Sequence, residues 1–288
     1  MKIAVLSDQH IDCEAEPASW DLAREAFKAA VKAKADHVVL VGDTFDCASA
    51  MERDRERVEK YLRKIGLWSA DRLTVVVGNH DIFHTPHRGG LVRRALEFAK
   101  AATADAQESY DTFCDWAGQL ARAEHLLAGD DDLFPLAKDL GDTMLLAADT
   151  TSATTGHSAN GFWRKKDDAR LHAVRIRRGQ SSVLAIHNAP FQSSLFSIND
   201  WIGGEDVAGF PAADFRRLER FADKRKLDTI VCGHIHAMGE DDPWEWTVGK
   251  QATAYLMGRT GGVHESEPVI GILTALADGS TRWKEIEL

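Results

Sequence analysis

Five short polar motifs punctuate this chain, and each closes an apolar run. They are Asp8-Gln9-His10, Gly42-Asp43-Thr44-Phe45-Asp46, Gly78-Asn79-His80-Asp81, His187-Asn188 and Gly233-His234-Ile235-His236. An apolar run that ends at once in a polar motif reads as a buried strand emerging at the surface of a sheet. Whatever the chain folds into must deliver these five ends to compatible places.

The first eighty residues alternate between strand and helix. Ile3 to Leu6, His37 to Val41 and Leu73 to Val77 read as strands, with helices at Trp20 to Lys34 and Glu52 to Ile65. Uninterrupted apolar strands in strand–helix–strand repetition imply a parallel sheet covered on both faces. In such sheets sites lie beyond the carboxyl ends of the strands, so Asp8, Asp43 and Asn79 are expected at one rim. Residues 91–127 read as an Ala-rich pair of helices with a break near Thr103 to Ala106, an insertion or cap on the sheet. Gly129 to Asp132 reads as a loop. Further on, Thr143 to Ala148 and Ser182 to Ile186 are strands, and Asp167 to Arg178 and Phe215 to Lys226 are helices. Thr229 to Cys232 is a strand that runs into Gly233. Four last runs, Trp244 to Val248, Ala252 to Met257, Val269 to Ala275 and Thr281 to Ile286, are expected to form a mainly antiparallel sheet that closes the fold. No internal repeat or low-complexity linker divides the 288 residues. The expectation is one α/β domain, a two-sheet β-sandwich flanked by helices.

Composition narrows the function classes. A net charge of −10 weighs against tight binding to duplex DNA, which needs Lys and Arg opposite many phosphates. The four cysteines (Cys13, Cys47, Cys114, Cys232) lack metal or disulfide spacing and read as reduced thiols. The short apolar start is no signal peptide, and no run of about 18 apolar residues is present. A cytoplasmic protein without a membrane span is expected.

Taken singly, each motif has an ordinary reading as a helix cap or a turn after a strand. In one order, they supply carboxylate, imidazole and amide oxygen together, a donor set suited to Mn²⁺, Fe or Zn²⁺. A carboxylate can bridge two cations, and Asp43, on the central strand, is the natural bridge. Two metals about 3.5–4 Å apart can clamp a phosphoryl group and generate a nucleophile from water.

The motif set resembles the calcineurin-like metallophosphoesterase superfamily, whose pattern is D-x-H, G-D-x-x-D, G-N-H-[DE], a lone His and G-H-x-H. Every position is filled between residues 8 and 236. The resemblance implies the metallo-dependent phosphatase fold (α/β/β/α) and two divalent metal ions, Mn²⁺ first, with Fe or Zn²⁺ as alternatives. It implies one metal held by Asp8, His10, Asp43 and His236, and another held by Asp43, Asn79, His187 and His234. A metal-bridging hydroxide would attack phosphorus in line. His80 would protonate the leaving oxygen or stabilise the transition state, and Asp46 would hydrogen-bond His80 and fix its tautomer. Asp81 is expected to be structural.

The substrate is less constrained. The segment Gly156 to Lys166 offers Asn160, Trp163 and Arg164 as substrate-binding residues, and His84 follows Gly-Asn-His-Asp closely enough to reach a ligand. Phe191 to Gly204 is a second candidate loop. The chain lacks the G-D-x-H-G and R-G features of protein Ser/Thr phosphatases. It carries His80 where the UDP-diacylglucosamine pyrophosphohydrolases of the lipid A pathway usually have Arg. Gly42 to Asp46 is similar to the G-D-x-F-D of double-strand-break-repair nucleases. Ala148-Asp149-Thr150 and His187-Asn188-Ala189-Pro190 are more similar to the class III cyclic-nucleotide phosphodiesterase group. A phosphodiesterase acting on a small phosphoester or nucleotide is the leading expectation. A nuclease, a phosphomonoesterase and a non-catalytic binding protein are the alternatives, and a homo-oligomer is left open.

Overall fold

A computed structural model describes residues 1–82, 103–129, 132–151, 161–191, 209–235, 245–257 and 268–288. Two sheets face each other. The first has the order β11-β10-β1-β2-β3, and the second has the order β4-β5-β6-β7-β9-β8. The strands are β1 (Lys2–Leu6), β2 (His37–Val41), β3 (Leu73–Val76), β4 (Leu136–Asp139), β5 (Thr143–Ala147), β6 (Ser181–Ala185), β7 (Thr229–Cys232), β8 (Glu245–Val248), β9 (Ala252–Leu256), β10 (Val269–Ala275) and β11 (Thr281–Glu287).

In the first sheet β1, β2 and β3 are parallel and every residue of β2 and β3 is buried. Helix α1 (Pro17–Lys32) opens with Pro at its first turn, where the missing N–H costs nothing. It buries Trp20, Ala23, Ala26, Phe27 and Ala30, one helical stripe. Helix α2 (Ala48–Lys64) begins a turn before the charged run suggests, because Ala48, Ala50 and Met51 are buried there. The short α3 (Asn79–Ile82) follows β3. Helix α4 (Thr103–Gly118) lies in the segment expected to be an insertion. Its Phe113 and Trp116 pack in the main core, with Trp116 edge-on to Phe45 at 5.4 Å.

The second sheet carries α5 (Lys165–His172) and α6 (Ala212–Arg225) over a separate apolar cluster that includes Trp163, Leu171, Leu218 and Phe221. Helix α5 is shorter than its sequence pattern suggests. Arg225 of α6 takes the carbonyls of His172 and Val174, which ends the helix there.

The C-terminal strands depart from expectation. They form no sheet of their own. β10 and β11 extend the first sheet, antiparallel beside β1, whereas β9 lies parallel to β7 and β8 pairs with β9 at the edge of the second. Both sheets are therefore mixed. β4 is an addition to the expected strands; four residues ending in Lys138-Asp139 carry little apolar signal.

Two contacts close opposite sides of the sandwich. On one, Tyr255 of β9 stacks on Trp283 of β11 at 4.7 Å and 8°. On the other, Lys138 of β4, 1% exposed, donates to the carbonyls of Leu73 (2.7 Å), Leu120 (2.7 Å) and Ala70 (3.0 Å). One ammonium thus ties β4 to the start of β3 and to the end of α4. All four cysteines are free, and among the described residues no helix is long and apolar enough to cross a membrane.

A buried ammonium on three carbonyls cannot be removed without leaving acceptors unpaired, at about 1–3 kcal/mol each before relaxation. Lys138→Met is therefore expected to lower the unfolding free energy by about 2–4 kcal/mol in urea titration. The titration should run at about pH 6, below the value of about 7 to which burial lowers this amine. Wild-type stability in the variant would mean that the three carbonyls find other partners.

Candidate metal centre

The loops after β1 and β2 stay knitted beyond the strands. Asp8 N donates to Gly42 O (3.1 Å), His10 N to Asp43 O (3.0 Å) and Ile11 N to Thr44 O (3.0 Å). This holds Asp8, His10 and Asp43 side by side, all fully buried or nearly so. From the second sheet, Gly233 N donates to His187 O at 2.9 Å, placing His234 against His187. The two sheets meet through side chains. His234 N donates to both carboxylate oxygens of Asp8 (3.2 and 3.1 Å), and His187 Nδ1 lies 2.9 Å from Val41 O.

Among the described residues, six other than glycine have φ in the left-handed region, and four are motif residues: Asp8 (52°), His10 (46°), Asp43 (48°) and His234 (78°). The other two, Lys34 and Lys226, sit at helix ends. Such conformations cost free energy and cluster where function demands them. Glycines make room for the convergence. A Cβ on Gly42 (φ +98°) would lie 2.2 Å from His187 Nδ1, and one on Gly233 would lie 1.7 Å from Ser7 Oγ.

The donors form two groups that share Asp43. In one, His10 Nε2 lies 4.0 Å from Asp8 Oδ1 and 3.9 Å from Asp43 Oδ2. In the other, His187 Nε2 has three neighbours: Asn79 Oδ1 at 3.0 Å, His234 Nδ1 at 3.2 Å and Asp43 Oδ2 at 3.3 Å. The bond from His187 Nδ1 to Val41 O leaves the Nε2 lone pair facing this group. Asp43 Oδ2 is buried and accepts no well-aligned hydrogen bond. Electron-rich atoms crowded around a buried carboxylate oxygen have the chemistry a cation satisfies. The residues fit the implied metals.

Charge among the protein's own groups tells the same story. Burial works against ionising Asp43, yet the imidazoles of His187, His80 and His10 hold it well below the usual carboxylate range. His187 is raised to about 9 despite burial, by the charge of Asp43 and its bond to that carboxylate. A proton on His187 does part of what a cation would do. Asp81 is pushed up to about 8 by burial and by Asp43, and its oxygens accept from Phe45 N and Gly78 N, both at 2.9 Å. It holds two motif loops in place, the structural role expected of it.

His80 sits above this cluster. Its main-chain N–H donates to Asp43 Oδ1 (2.8 Å), its ring is edge-on to His10 at 4.7 Å, and its Nδ1 lies 2.9 Å from the main-chain carbonyl of Asp46. The Asp46 carboxylate, expected beside His80, has Oδ1 3.6 Å from His10 Nδ1, and one of its oxygens lies within 4.8 Å of ring nitrogens of both His10 and His80.

Two of the residues expected to bind substrate are described, and one of them is buried. Trp163 is 1% exposed, packs on Phe221 and donates its indole N–H to Asp168. It is a core residue and offers no face to a ligand. The Arg164 guanidinium is held between Asp149 Oδ2 (3.1 Å) and Asp167 Oδ2 (2.6 Å). Asn160, His84 and His236 lie outside the described residues. Sequence reasoning overlooks Ser7, which donates to Asp8 Oδ2, and the carbonyls of Val41 and Asp46. A serine next to a ligand-type carboxylate is a readable signal, whereas main-chain acceptors leave none.

Comparison with known proteins agrees with this geometry. The family model described as calcineurin-like phosphoesterase matches residues 1–238. Among solved structures, a purple acid phosphatase from yellow lupin (Lupinus luteus) seeds superposes with a TM-score of 0.61 at 13% identity, over 100% of this chain and 51% of that one. This chain thus spans about half the lupin enzyme. A dimetal phosphatase from Danio rerio gives 0.60 at 12% identity, over 95% and 92% of the two chains. The protein TT1561 of Thermus thermophilus gives 0.53 at 11%, over 99% and 98%. No curated protein matches the chain.

The raised value of His187 carries a pH consequence. In metal-free protein the folded state binds the His187 proton more tightly than the unfolded state, whose value is near 6.5. Its stabilisation is complete below 6.5 and is lost as pH rises through about 9, with a slope of at most about 1.4 kcal/mol per pH unit. The Tm of metal-stripped protein should fall across that window, and saturating Mn²⁺ should restore it. A flat profile for the stripped protein would mean that His187 is neutral in the fold.

Proposed function

The chain belongs to the calcineurin-like phosphoesterases, metal-dependent phosphoester hydrolases, and from that premise we propose that it is a dinuclear phosphodiesterase acting on small phosphodiesters such as nucleotides. The observation that carries the reading is the Asp43 carboxylate, shared by two groups of donors. Asp8, His10 and Asp43 would hold one divalent ion, completed by His236 as the family pattern implies. Asp43, Asn79, His187 and His234 would hold the other. Bound there, the metals supply Lewis acidity and lower the pKa of coordinated water.

The chain's own residues do the rest. Asp43 separates the two positions and offsets their charge. His80, with Nδ1 held by the Asp46 carbonyl, presents Nε2 as the group that donates a proton to the departing oxygen. Its main-chain N–H donates to Asp43 Oδ1 and holds the residue beside the shared carboxylate.

Among the described residues, local charge favours a diester. The arginines that touch the loops after β1 and β5 are already neutralised. Arg53 is held by Asp12, Asp54 and Glu14, and Arg164 by Asp149 and Asp167. A diester carries one negative charge and needs no further cation, whereas a monoester dianion gains from one. The overall charge of −10 argues against a long nucleic-acid track.

Two experiments test this. Stripped protein reloaded with Mn²⁺ should hydrolyse bis-p-nitrophenyl phosphate with a higher kcat/KM than p-nitrophenyl phosphate; the reverse preference would make it a monoesterase. His80→Ala should keep its Mn²⁺ content yet lose about 10²–10⁴-fold in turnover of a diester with a poor leaving group. Undiminished turnover would remove His80 from the role of acid.

A further inference from the structure

We propose that Thr150 and Asn188 are positioning residues for His187: a hydroxyl on the loop after β5 fixes the peptide that sets the direction of the His187 ring. The inference rests on the dinuclear reading above. It concerns the metal position that His187 shares with Asn79 and His234.

The peptide unit between His187 and Asn188 is planar, so its two polar ends fix its orientation together. Its carbonyl accepts from Gly233 N at 2.9 Å, and its N–H donates to Thr150 Oγ1 at 3.2 Å. Thr150 Oγ1 in turn donates to Asn188 Oδ1 at 2.8 Å. A hydroxyl can accept and donate through one atom, and here that closes a small ring between two buried residues. With the peptide held at both ends, the His187 side chain leaves the main chain in a set direction. Its Nδ1 lies 2.9 Å from Val41 O, and its Nε2 lies 3.3 Å from Asp43 Oδ2.

Both partners in the ring are themselves confined. Just before Thr150, Asp149 Oδ1 accepts from Thr151 N (2.8 Å) and Thr151 Oγ1 (2.7 Å), and Asp149 Oδ2 lies 3.1 Å from the Arg164 guanidinium. Arg164 thus braces the turn that carries Thr150. Thr150 O accepts from Phe162 N at 2.8 Å, which brings the neighbouring Gly161 against Asn188. A Cβ on Gly161 would lie 2.7 Å from Asn188 Cβ.

The plainer alternative is a tie between β5 and β6 that adds to stability alone. The ladder already supplies that tie. Ala147 pairs with Ala185, and Ala148 N donates to Ala185 O at 3.2 Å. The ring of Thr150 and Asn188 stands beyond those pairs, directly after a donor of the metal centre.

The test is a Mn²⁺ titration by calorimetry on the full chain as wild type, Thr150→Val, Thr150→Ser, Asn188→Ala and Lys138→Met. Thr150→Val keeps the shape and removes the hydroxyl. It is expected to weaken one of two Mn²⁺ affinities about 10-fold and leave the other unchanged, the low end of what loss of a ligand's supporting contact costs. Thr150→Ser, which keeps the hydroxyl, should restore wild-type binding. Asn188→Ala removes the side-chain acceptor but leaves its N–H on Thr150. It should show a smaller loss at the same position, and it carries the test if Thr150→Val does not fold. Lys138→Met controls for lost stability, because its contacts involve no motif residue; it should bind Mn²⁺ as wild type does. Wild-type affinities in both Thr150→Val and Asn188→Ala would overturn the proposal and leave the dinuclear reading standing. A comparable loss in Lys138→Met, or no rescue by Thr150→Ser, would reduce the contact to general stability and also overturn it. A wild type that binds no Mn²⁺ would defeat the dinuclear reading, and the proposal with it.

Discussion

The structure depends on one buried charge. Asp43 lies at the end of the central parallel strands, shut off from solvent, and an isolated carboxylate there would be prohibitively expensive. It is tolerable because His80 N–H donates to one oxygen and because imidazoles on both sheets face the other. The second sheet is needed for this. His187 and His234 hang from β6 and β7, and without them the anion at the rim would lose His187, the largest compensating charge beside it. The contact between the two layers is thus electrostatic at the carboxyl ends of the strands and apolar below.

The opposite end of the sandwich solves the converse problem with the sign reversed. Lys138 brings a buried cation to three carbonyls, and His37 bonds Asp71 O and Thr74 Oγ1, each at 2.8 Å. Burial and the nearby Lys138 charge keep His37 neutral, with a value of about 3. These groups touch no motif residue. Their work is to tie β4, the approach to β3 and the end of α4 together, so that the rim above is built on fixed strands.

Much of this is legible in the chain. The strand ends carrying Asp8, Asp43, Asn79, His187 and His234 stand out because a short apolar run broken by a polar cluster is what a strand leaving a covered sheet must look like. What periodicity does not encode is the partner of a strand. β8 to β11 read correctly as strands but not as members of the two sheets they join, since an alternating pattern looks alike beside β1 or beside β7. Trp163 shows the same limit for side chains. An aromatic next to Arg164, Lys165 and Lys166 suggests a stacking platform, yet the indole faces inward onto Phe221 and only the charged neighbours reach water. Asp46 falls among the expected histidines, and the bond from its main-chain carbonyl to His80 Nδ1 is a contact that no side-chain pattern announces.

The left-handed residues bear on how the centre comes to exist. Each such residue costs about 1–2 kcal/mol relative to ordinary backbone. In Asp8, His10 and Asp43 the cost is offset locally by the ladder that continues past β1 and β2, and in His234 by its N–H on Asp8. The strain is therefore held by hydrogen bonds within the protein and does not wait for a cation. The described donors are thus fixed at the backbone by bonds within the protein. A different side chain at one of these positions would meet the same constraint, because the backbone there has no freedom with which to accommodate it.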